Sequence, residues 1–207
     1  MAIPYIQEVY RKLIHLSSLW MVALIWFFPW PMYLLFSFFA ICLVLNLLCE
    51  HAYANRVKWI TPLYDRFFGN MLRNDVKPGQ WVVSGSPPVF AAAALVTLCF
   101  PQPVAAIALG VMLIADTAAA LIGRRFGRHK INGKSWEGVI AFIIAGSVFA
   151  NLLLFFAGML TPLMAAGAVA GVTLAAFAEL FEKQLRMDDN FSIPLVTGMI
   201  ITLTSWV

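Results

Sequence analysis

Long apolar runs, separated by short polar or proline-containing segments, dominate the pattern along the chain. Each run is close to the roughly 20 residues that an α-helix needs to cross the hydrocarbon core of a bilayer. Pro29, Pro31, Pro101, Pro103 and Pro162 lie between the runs or at their starts, as is typical of turns between antiparallel helices. The pattern predicts seven membrane-spanning helices, at about 13–28, 32–49, 81–100, 103–122, 138–157, 162–181 and 192–206.

Composition places the whole chain in a membrane. Of its 207 residues 62% are hydrophobic and 12% are charged, and the mean hydropathy is +0.85. A soluble domain of this size cannot bury so much apolar surface. We therefore predict an all-α, polytopic integral membrane helical bundle that forms one domain over residues 1–207. The three cysteines are far apart and indicate neither a disulfide framework nor a zinc site.

The basic residues indicate how the bundle is oriented. With seven spans, all 14 lysines and arginines fall on one side of the membrane, and the opposite connections carry none. The positive-inside rule then predicts a cytoplasmic N-terminus and an outer C-terminus. The net charge of +4 is thus explained by topology and does not indicate a nucleic-acid partner. The acids and histidines lie on or near the same face, so we expect any chemistry at the cytoplasmic side.

The segment 50–80 is too polar to span the membrane. Its aromatic and aliphatic residues, among them Trp59, Leu63 and Phe67, recur at helical spacing among charged residues. This pattern predicts an amphipathic helix in the cytoplasmic headgroup layer at about 51–68. The basic face of this helix would contact anionic lipid, or the helix would border the access path of a lipid substrate.

An aspartate in the fourth run is the first candidate for chemistry. Asp116 follows the almost wholly apolar stretch 104–115, where an isolated acid costs about 2.5–3.5 kcal/mol on insertion scales. It should therefore face the interior of the bundle. Ala119, Gly123 and Gly127 follow on about the same helical face. Such small residues allow either close helix packing or close approach of a ligand, and the acid on the same stripe favours the ligand.

A basic loop follows this stripe and ends in Asn-Gly-Lys-Ser at 132–135, directly before the fifth run. Backbone N–H groups at the start of a helix bind phosphate well. We expect Lys134 and Ser135 to bind the phosphates of a nucleotide, with Arg128 as a further cation. A P-loop is excluded, since that motif requires glycine at position 128.

Three parts of the chain resemble the polyprenol kinase family, which includes dolichol kinase, phytol kinase and CTP-dependent diacylglycerol kinases and is related to phosphatidate cytidylyltransferases. The central part resembles the family's CTP-binding signature and consists of Asp116-x-x-Ala119-x-x-x-Gly123-x-x-x-Gly127 followed by Lys134-Ser135-x-Glu137-Gly138. The N-terminal part resembles another family pattern and reads Glu8-x-x-Arg11-Lys12-x-x-His15. The C-terminal part comprises Glu179, Asp188-Asp189-Asn190, Pro194 and Gly198.

The resemblance implies CTP as co-substrate, Mg²⁺ as the metal, and a nucleotide site that includes Gly138. Phosphoryl transfer requires mainly positioning and charge neutralisation, and magnesium takes one or two carboxylates besides phosphates and waters. The candidate metal ligands lie at the cytoplasmic ends of spans and are Asp116, Glu137, Glu179 and Asp189. Glu137 has a second interpretation, as a favourable charge at a helix start.

The expected catalytic residues belong to the same three parts. Asp116 and Asp189 would bind the metal or act as the base, and Asn190 would orient them. His15 would assist deprotonation of a lipid alcohol, since an unperturbed imidazole titrates near neutral pH. Arg11 and Lys12 would anchor the first span or, as the resemblance implies, share a functional role with His15. We interpret Glu182 and Asp188 as solvated charges.

The function implied is transfer of the γ-phosphoryl group of CTP to the hydroxyl of a polyprenol, diacylglycerol or related isoprenoid alcohol at the cytoplasmic membrane face. One alternative is a cytidylyltransferase, which forms a CDP-lipid from a phosphorylated lipid. Another is a small transporter or a lipid scramblase, which predicts charges extending to both faces, whereas this chain confines them to one. A non-catalytic structural subunit is the third. The sequence does not indicate the oligomeric state.

Overall fold

The computed structural model describes residues 5–62, 66 and 85–206, and it confirms the all-α membrane bundle. A two-stranded hairpin is the one addition to the helices within these ranges. The elements in chain order are α1 (Tyr5–Ser17), α2 (Leu19–Phe27), α3 (Met32–Ala54), α4 (Ser86–Cys99), α5 (Gln102–Phe126), β1 (Lys130–Ile131), β2 (Lys134–Ser135), α6 (Trp136–Phe156), α7 (Pro162–Leu180), α8 (Glu182–Leu185) and α9 (Asp189–Thr204).

Four helices of the described chain are long and apolar enough to cross a membrane, namely α3, α5, α6 and α7. The other three predicted spans correspond to shorter helices. The third prediction, 81–100, overlaps the 14 residues of α4, while its first residues lie outside the described part. The seventh overlaps the 16 residues of α9. Each is shorter than the roughly 20 residues of a full span.

The first predicted span, 13–28, differs most from the structure. The helix begins earlier, at Tyr5, and a single turn residue, Ser18, separates α1 from the nine-residue α2. In α1 the buried side chains are Glu8 and Lys12, whereas Ile6, Tyr10 and Leu13 are exposed. A helix on a soluble protein shows the opposite pattern. The arrangement suits a helix whose apolar face contacts lipid and whose charged face contacts protein.

Helix α5 is the centre of the bundle, and α1, α2, α4, α6 and α9 all pack against it. Its buried face is rich in alanine and glycine. At Gly110 a Cβ atom would overlap the ring of Phe149, and at Gly146 it would lie 3.2 Å from the Cβ of Ala115. Lipid tails are as apolar as leucine, so close van der Waals packing of small residues is what holds membrane helices together.

The predicted amphipathic helix at 51–68 is only partly described. Residues 51–54 continue α3 and so do not belong to a separate helix. The chain then turns at 55–60, where Arg56 has a φ of 56°. Residues 61, 62 and 66 are helical, and the remainder of the prediction lies outside the described residues.

The connection between α5 and α6 is a tight β-hairpin, which the sequence analysis did not predict. β1 and β2 are antiparallel, with Lys130 opposite Ser135 and Ile131 opposite Lys134. Asn132 and Gly133, between the strands, have φ values of 49° and 83°. Asn-Gly is the residue pair that such left-handed two-residue turns favour. The hairpin folds the chain back and holds Lys134 against the end of the bundle.

Candidate functional site

A cavity of about 300 Å³ lies at the polar end of the bundle, among α1, α5, the hairpin, α6, α7 and the first residues of α8 and α9. Ten charged side chains line it. The acids are Glu8, Asp116, Glu179, Glu182 and Asp189, and the bases are Arg11, Lys12, Arg124, Lys130 and Lys134. Because five acids face five bases, the cavity is close to electroneutral before any ligand binds.

Three carboxylates from three different helices converge in this cavity. Asp116 of α5, Glu179 of α7 and Asp189 of α9 each place one oxygen atom within 4.8 Å of the others. Asp116 and Glu179 are buried and Asp189 is half-buried. Carboxylates held so close repel one another unless cations compensate them. Carboxylate oxygens that converge in this way are the type of ligand that a hard divalent cation such as Mg²⁺ takes.

Two lysines compensate part of this negative charge. The Nζ atom of Lys12 lies 2.6 Å from Oδ2 of Asp116, and both side chains are about nine-tenths buried. The Nζ atom of Lys134 lies 2.7 Å from Oε1 of Glu179 and 3.3 Å from Oε2 of Glu182. Burial by itself would lower the pKa of Lys134, but the attraction of Glu179, Glu182 and Asp189 outweighs burial and raises it. Lys134 therefore remains charged near neutral pH.

Asp189 is oriented by its neighbour in the chain. The Nδ2 atom of Asn190 donates hydrogen bonds to Oδ1 of Asp188 at 2.7 Å and to Oδ1 of Asp189 at 3.2 Å. Asp188 is the N-cap of α9 and accepts from the backbone N–H of Asn190 at 2.9 Å. Asp188 thus fixes the start of the helix, and Asn190 holds the Asp189 carboxylate. The orienting role of Asn190 stays a prediction, and this contact is consistent with it.

Helix α1 contributes more to the cavity than the sequence analysis predicted. Lys12, for which a membrane anchor was one of two interpretations, donates a hydrogen bond to Asp116. The Glu8 side chain is 2% exposed and forms ion pairs with Arg11 at 2.9 Å and Arg124 at 3.0 Å. His15 does not line the cavity, but its Nε2 atom lies 3.3 Å from Oδ2 of Asp116. Glu8 and Lys12 are four residues apart and therefore lie on one face of α1. This spacing of an acid and a base was the signal that could have identified the face that lines the cavity.

The stripe of small residues joins α5 to α6. A Cβ atom on Gly138 would lie 2.9 Å from the carbonyl oxygen of Ala119 and 3.3 Å from Cα of Gly123. At Gly127 a Cβ atom would overlap the carbonyl oxygen of Gly123. Helix packing, the alternative to the ligand that we favoured, thus accounts for the glycines by itself. Ala119, Gly123 and Gly138 also line the cavity, whereas Gly127 does not.

Ser135 secures the same junction. Its Oγ atom caps α6 by accepting from the backbone N–H of Gly138 at 3.2 Å, and it also lies 3.4 Å from the carbonyl oxygen of Gly123. It lines the cavity as well. The position predicted to bind phosphate therefore also fixes where the hairpin ends and α6 begins.

Besides His15, Asn190 and Gly127, two further predicted residues do not line the cavity, Glu137 and Arg128. Glu137 lies on the other side of the hairpin base, where its Oε1 atom is 2.9 Å from Nδ1 of His129. It therefore does not join the three-carboxylate cluster, and the second interpretation, a favourable charge in the first turn of α6, fits its position. Glu182, by contrast, was interpreted as a solvated charge, but it lines the cavity and pairs with Lys134.

Comparison with known proteins finds a relative that matches nearly the whole chain and others that match about half of it. An uncharacterized protein of Rickettsia prowazekii is 28% identical over 202 residues, which is 97% of this chain and 96% of that protein. A probable chloroplastic phytol kinase of rice is 34% identical over 105 residues, or 46% of this chain and 33% of that protein. The phytol kinase of Synechocystis is 33% identical over 100 residues, or 46% of this chain and 42% of that protein.

The likeness to phytol kinases therefore covers about half of this chain and less than half of each of those two enzymes. No protein-family model matches the sequence. No solved structure matches significantly.

Proposed function

We propose that this protein is a membrane kinase that transfers a phosphoryl group from a nucleotide to the hydroxyl group of a lipid alcohol. The observation that carries the proposal is the cluster of Asp116, Glu179 and Asp189 in a charged cavity at the end of a membrane bundle. The similarity to phytol kinases supports the same reaction. The resemblance of the central motif favours CTP as the donor and Mg²⁺ as the metal.

The donor set of the cluster fits magnesium. Asp116 and Glu179 would hold the ion, because magnesium usually takes one or two protein carboxylates and keeps its other positions for phosphates and waters. When bound, the ion neutralises charge on the phosphates and helps to align them. Asp116 and Glu179 each already place one oxygen beside a lysine, so each carboxyl group lies in a position that favours a positive charge.

Charge balance explains why a metal-bound nucleotide suits this cavity better than a bare anion does. The lining is nearly electroneutral, so it does not by itself concentrate a highly charged anion. A divalent ion makes the same lining net positive. Lys134 and Lys130 of the hairpin and Arg124 of α5 line the same cavity and would bind the triphosphate oxygens.

Asp189 is the residue that we assign to proton transfer. It lies in the cluster with Asp116 and Glu179 but, within the described chain, its side chain is contacted by the amide of Asn190 and by no lysine in an ion pair. The hydroxyl oxygen of the lipid attacks the terminal phosphorus, and its proton passes to Asp189. The bond from that phosphorus to the bridging oxygen breaks, and a nucleoside diphosphate leaves.

The lipid would approach from the side of α1. This helix points Ile6, Tyr10 and Leu13 away from the bundle and Glu8 and Lys12 towards it. One helix therefore separates an apolar surface suited to lipid tails from the charged cavity. Such a boundary lets a long tail remain in the membrane while only its hydroxyl reaches the carboxylates. The position of His15 beside Asp116 makes it a further polar group on this path.

The test is a product analysis with purified protein in lipid micelles. CTP, ATP, GTP and UTP are offered in turn with Mg²⁺ and with phytol, a polyprenol or diacylglycerol. We expect CDP and a phosphorylated lipid, which identifies the donor and the acceptor together. Formation of pyrophosphate and a CDP-lipid when phosphatidate is added would contradict the proposal and identify a cytidylyltransferase.

A further inference from the structure

The lysine of α1 occupies a position in the carboxylate cluster that a metal ion would also use. The Nζ atom of Lys12 is 2.6 Å from Oδ2 of Asp116, and the lysine side chain is 9% exposed. Asp116 is one of the three residues whose oxygens could coordinate a single ion. An ammonium group at hydrogen-bond distance and a metal ion therefore compete for the same carboxylate.

Lys12 differs from the other lysine of the cluster in what remains when a metal arrives. Lys134 contacts Glu182 as well as Glu179, so it keeps an anionic partner outside the three ligands. Lys12 has one recorded ion pair among the described residues, and that pair is with the ligand itself. A metal on Asp116 therefore releases Lys12, whereas a metal on Glu179 leaves Lys134 paired.

The released ammonium group remains inside the cavity, because Lys12 is part of its lining. Lysine carries three donors on a flexible stem, so it can change partners without movement of its backbone. The strongest anions present after metal binding are the phosphate oxygens of the nucleotide. An ammonium that is no longer held by Asp116 turns to them.

We propose that Lys12 is an exchangeable positioning residue, which neutralises Asp116 before the metal binds and contacts a phosphate of the nucleotide afterwards. This inference rests on the proposed function, since it takes the cluster as the metal site. Mutation of a residue that lines a binding cavity usually weakens the binding of every ligand, and here we expect a different result. Removal of the Lys12 charge should strengthen the binding of the metal alone and weaken the use of the nucleotide.

The experiment measures Mn²⁺ binding to the purified full-length protein, without nucleotide, by the loss of the free-ion signal in electron paramagnetic resonance. Lys12→Met should lower the Kd for Mn²⁺ at least about tenfold, because it leaves a buried carboxylate that only a cation can compensate. Lys12→Arg should restore a Kd close to that of the wild type. With Lys12→Met the KM for the nucleotide should rise, although the metal binds more tightly.

Arg11→Met is the matched control. It removes one positive charge from the adjacent position of α1, which also lines the cavity but pairs with Glu8 and not with the cluster. If Arg11→Met lowers the Kd as much as Lys12→Met does, the effect is general electrostatics and the inference is wrong. If Lys12→Met leaves the Kd unchanged or raises it, the inference is also wrong.

Asp116→Asn separates this inference from the proposed function. Suppose that the wild type binds Mn²⁺, that Asp116→Asn abolishes this binding and that Lys12→Met does not strengthen it. The proposed exchange of Lys12 would then be wrong, while the proposed metal site would stand. No Mn²⁺ binding to the wild type would instead contradict the metal site of the proposed function.

A second measurement uses the wild-type protein and does not depend on the folding of any variant. Lysine acylation, followed by mass spectrometry of the peptide that contains Lys12, reports whether its amine is paired. Addition of Mn²⁺ should raise the labelling of Lys12, and subsequent addition of nucleotide should lower it again. Labelling that the metal does not change would overturn the inference.

Discussion

Replacement of Lys134 should separate the stability of the protein from its activity. Lys134→Met removes the cation 2.7 Å from the Glu179 side chain, which is 8% exposed. Loss of one partner of a fully buried pair costs about 3–5 kcal/mol. The Lys134 side chain is 28% exposed, so water partly screens the loss, and we reduce the expected cost to about 2–3 kcal/mol.

The double variant Lys134→Met/Glu179→Gln tests the cause of that cost. It removes the unpaired charge together with the lysine, so most of the lost stability should return, since replacement of both partners of a buried pair is often nearly neutral. Phosphoryl transfer should remain absent in both variants, because the double variant also lacks a proposed metal ligand. Glu179→Gln alone completes the double-mutant cycle.

The assay is thermal unfolding of the three variants and the wild type in one detergent, beside a transfer assay on the same samples. For globular domains of this size, about 2–3 kcal/mol corresponds to a shift in Tm of roughly 4–12 °C. The single variant Lys134→Met should show this decrease, and the double variant should recover at least half of it. A double variant as unstable as Lys134→Met, or more so, would refute the Lys134–Glu179 pairing.

Three further predictions follow from the same geometry. Asp116→Asn should lower the transfer rate at least about 10²-fold, whereas Glu137→Gln, which lies outside the cluster, should retain most of it in the same assay. The nearby acids raise the pKa of Lys134 above the usual 10.5 of a lysine, so its stabilising charge is lost only as the pH rises above that value. The wild type should therefore still have a higher Tm than Lys134→Met at about pH 9, and this difference should shrink only above about pH 10.5. Gly138→Ala should destabilise the protein by about 1–3 kcal/mol in chemical unfolding, since its Cβ would lie 2.9 Å from the carbonyl oxygen of Ala119, and an unchanged midpoint would contradict the close packing of α5 on α6.

The sequence predicted the helical bundle well, because apolar runs in a chain of this composition have few alternatives to membrane helices. It placed the ends of α5, α6 and α7 within a few residues. It was wrong about where the first helix begins. The prediction followed the apolar run from residue 13, whereas α1 begins at Tyr5 and includes the charged residues that precede this run. The hairpin was missed although its Asn-Gly turn is a recognised signal, because the loop was interpreted only as a source of phosphate ligands.

Only part of the site could be predicted from the sequence. An acid inside an apolar run is costly, so Asp116 was identified from its neighbours alone. The convergence of Glu179 and Asp189 on it depends on how α7 and α9 pack, and one sequence does not contain that information. Glu182 was missed and the role of Lys12 stayed open, because a charge near the end of a membrane helix is usually a topological signal or a solvated group. Only their distances to Asp116 and Lys134 show otherwise.

The interpretation of the glycines shows the limit of motif spacing. Gly123 and Gly127 recur at a helical interval, and that interval is expected both for ligand approach and for helix packing. The structure places them against Ser135 and Gly138, so packing is their direct role. By holding α5 on α6, they also fix Asp116 relative to the hairpin that carries Lys134.

The most direct test of the central claim follows the terminal phosphoryl group itself. Purified protein in micelles is given CTP labelled at the γ-phosphorus, with Mg²⁺ and phytol, and the lipid fraction is analysed after a single turnover. We predict label in phosphorylated phytol with the wild type and none with Asp116→Asn. If no label enters any lipid when the four nucleotides and the polyprenol and diacylglycerol acceptors are also tried, the assignment of this cavity as a lipid-kinase site is contradicted.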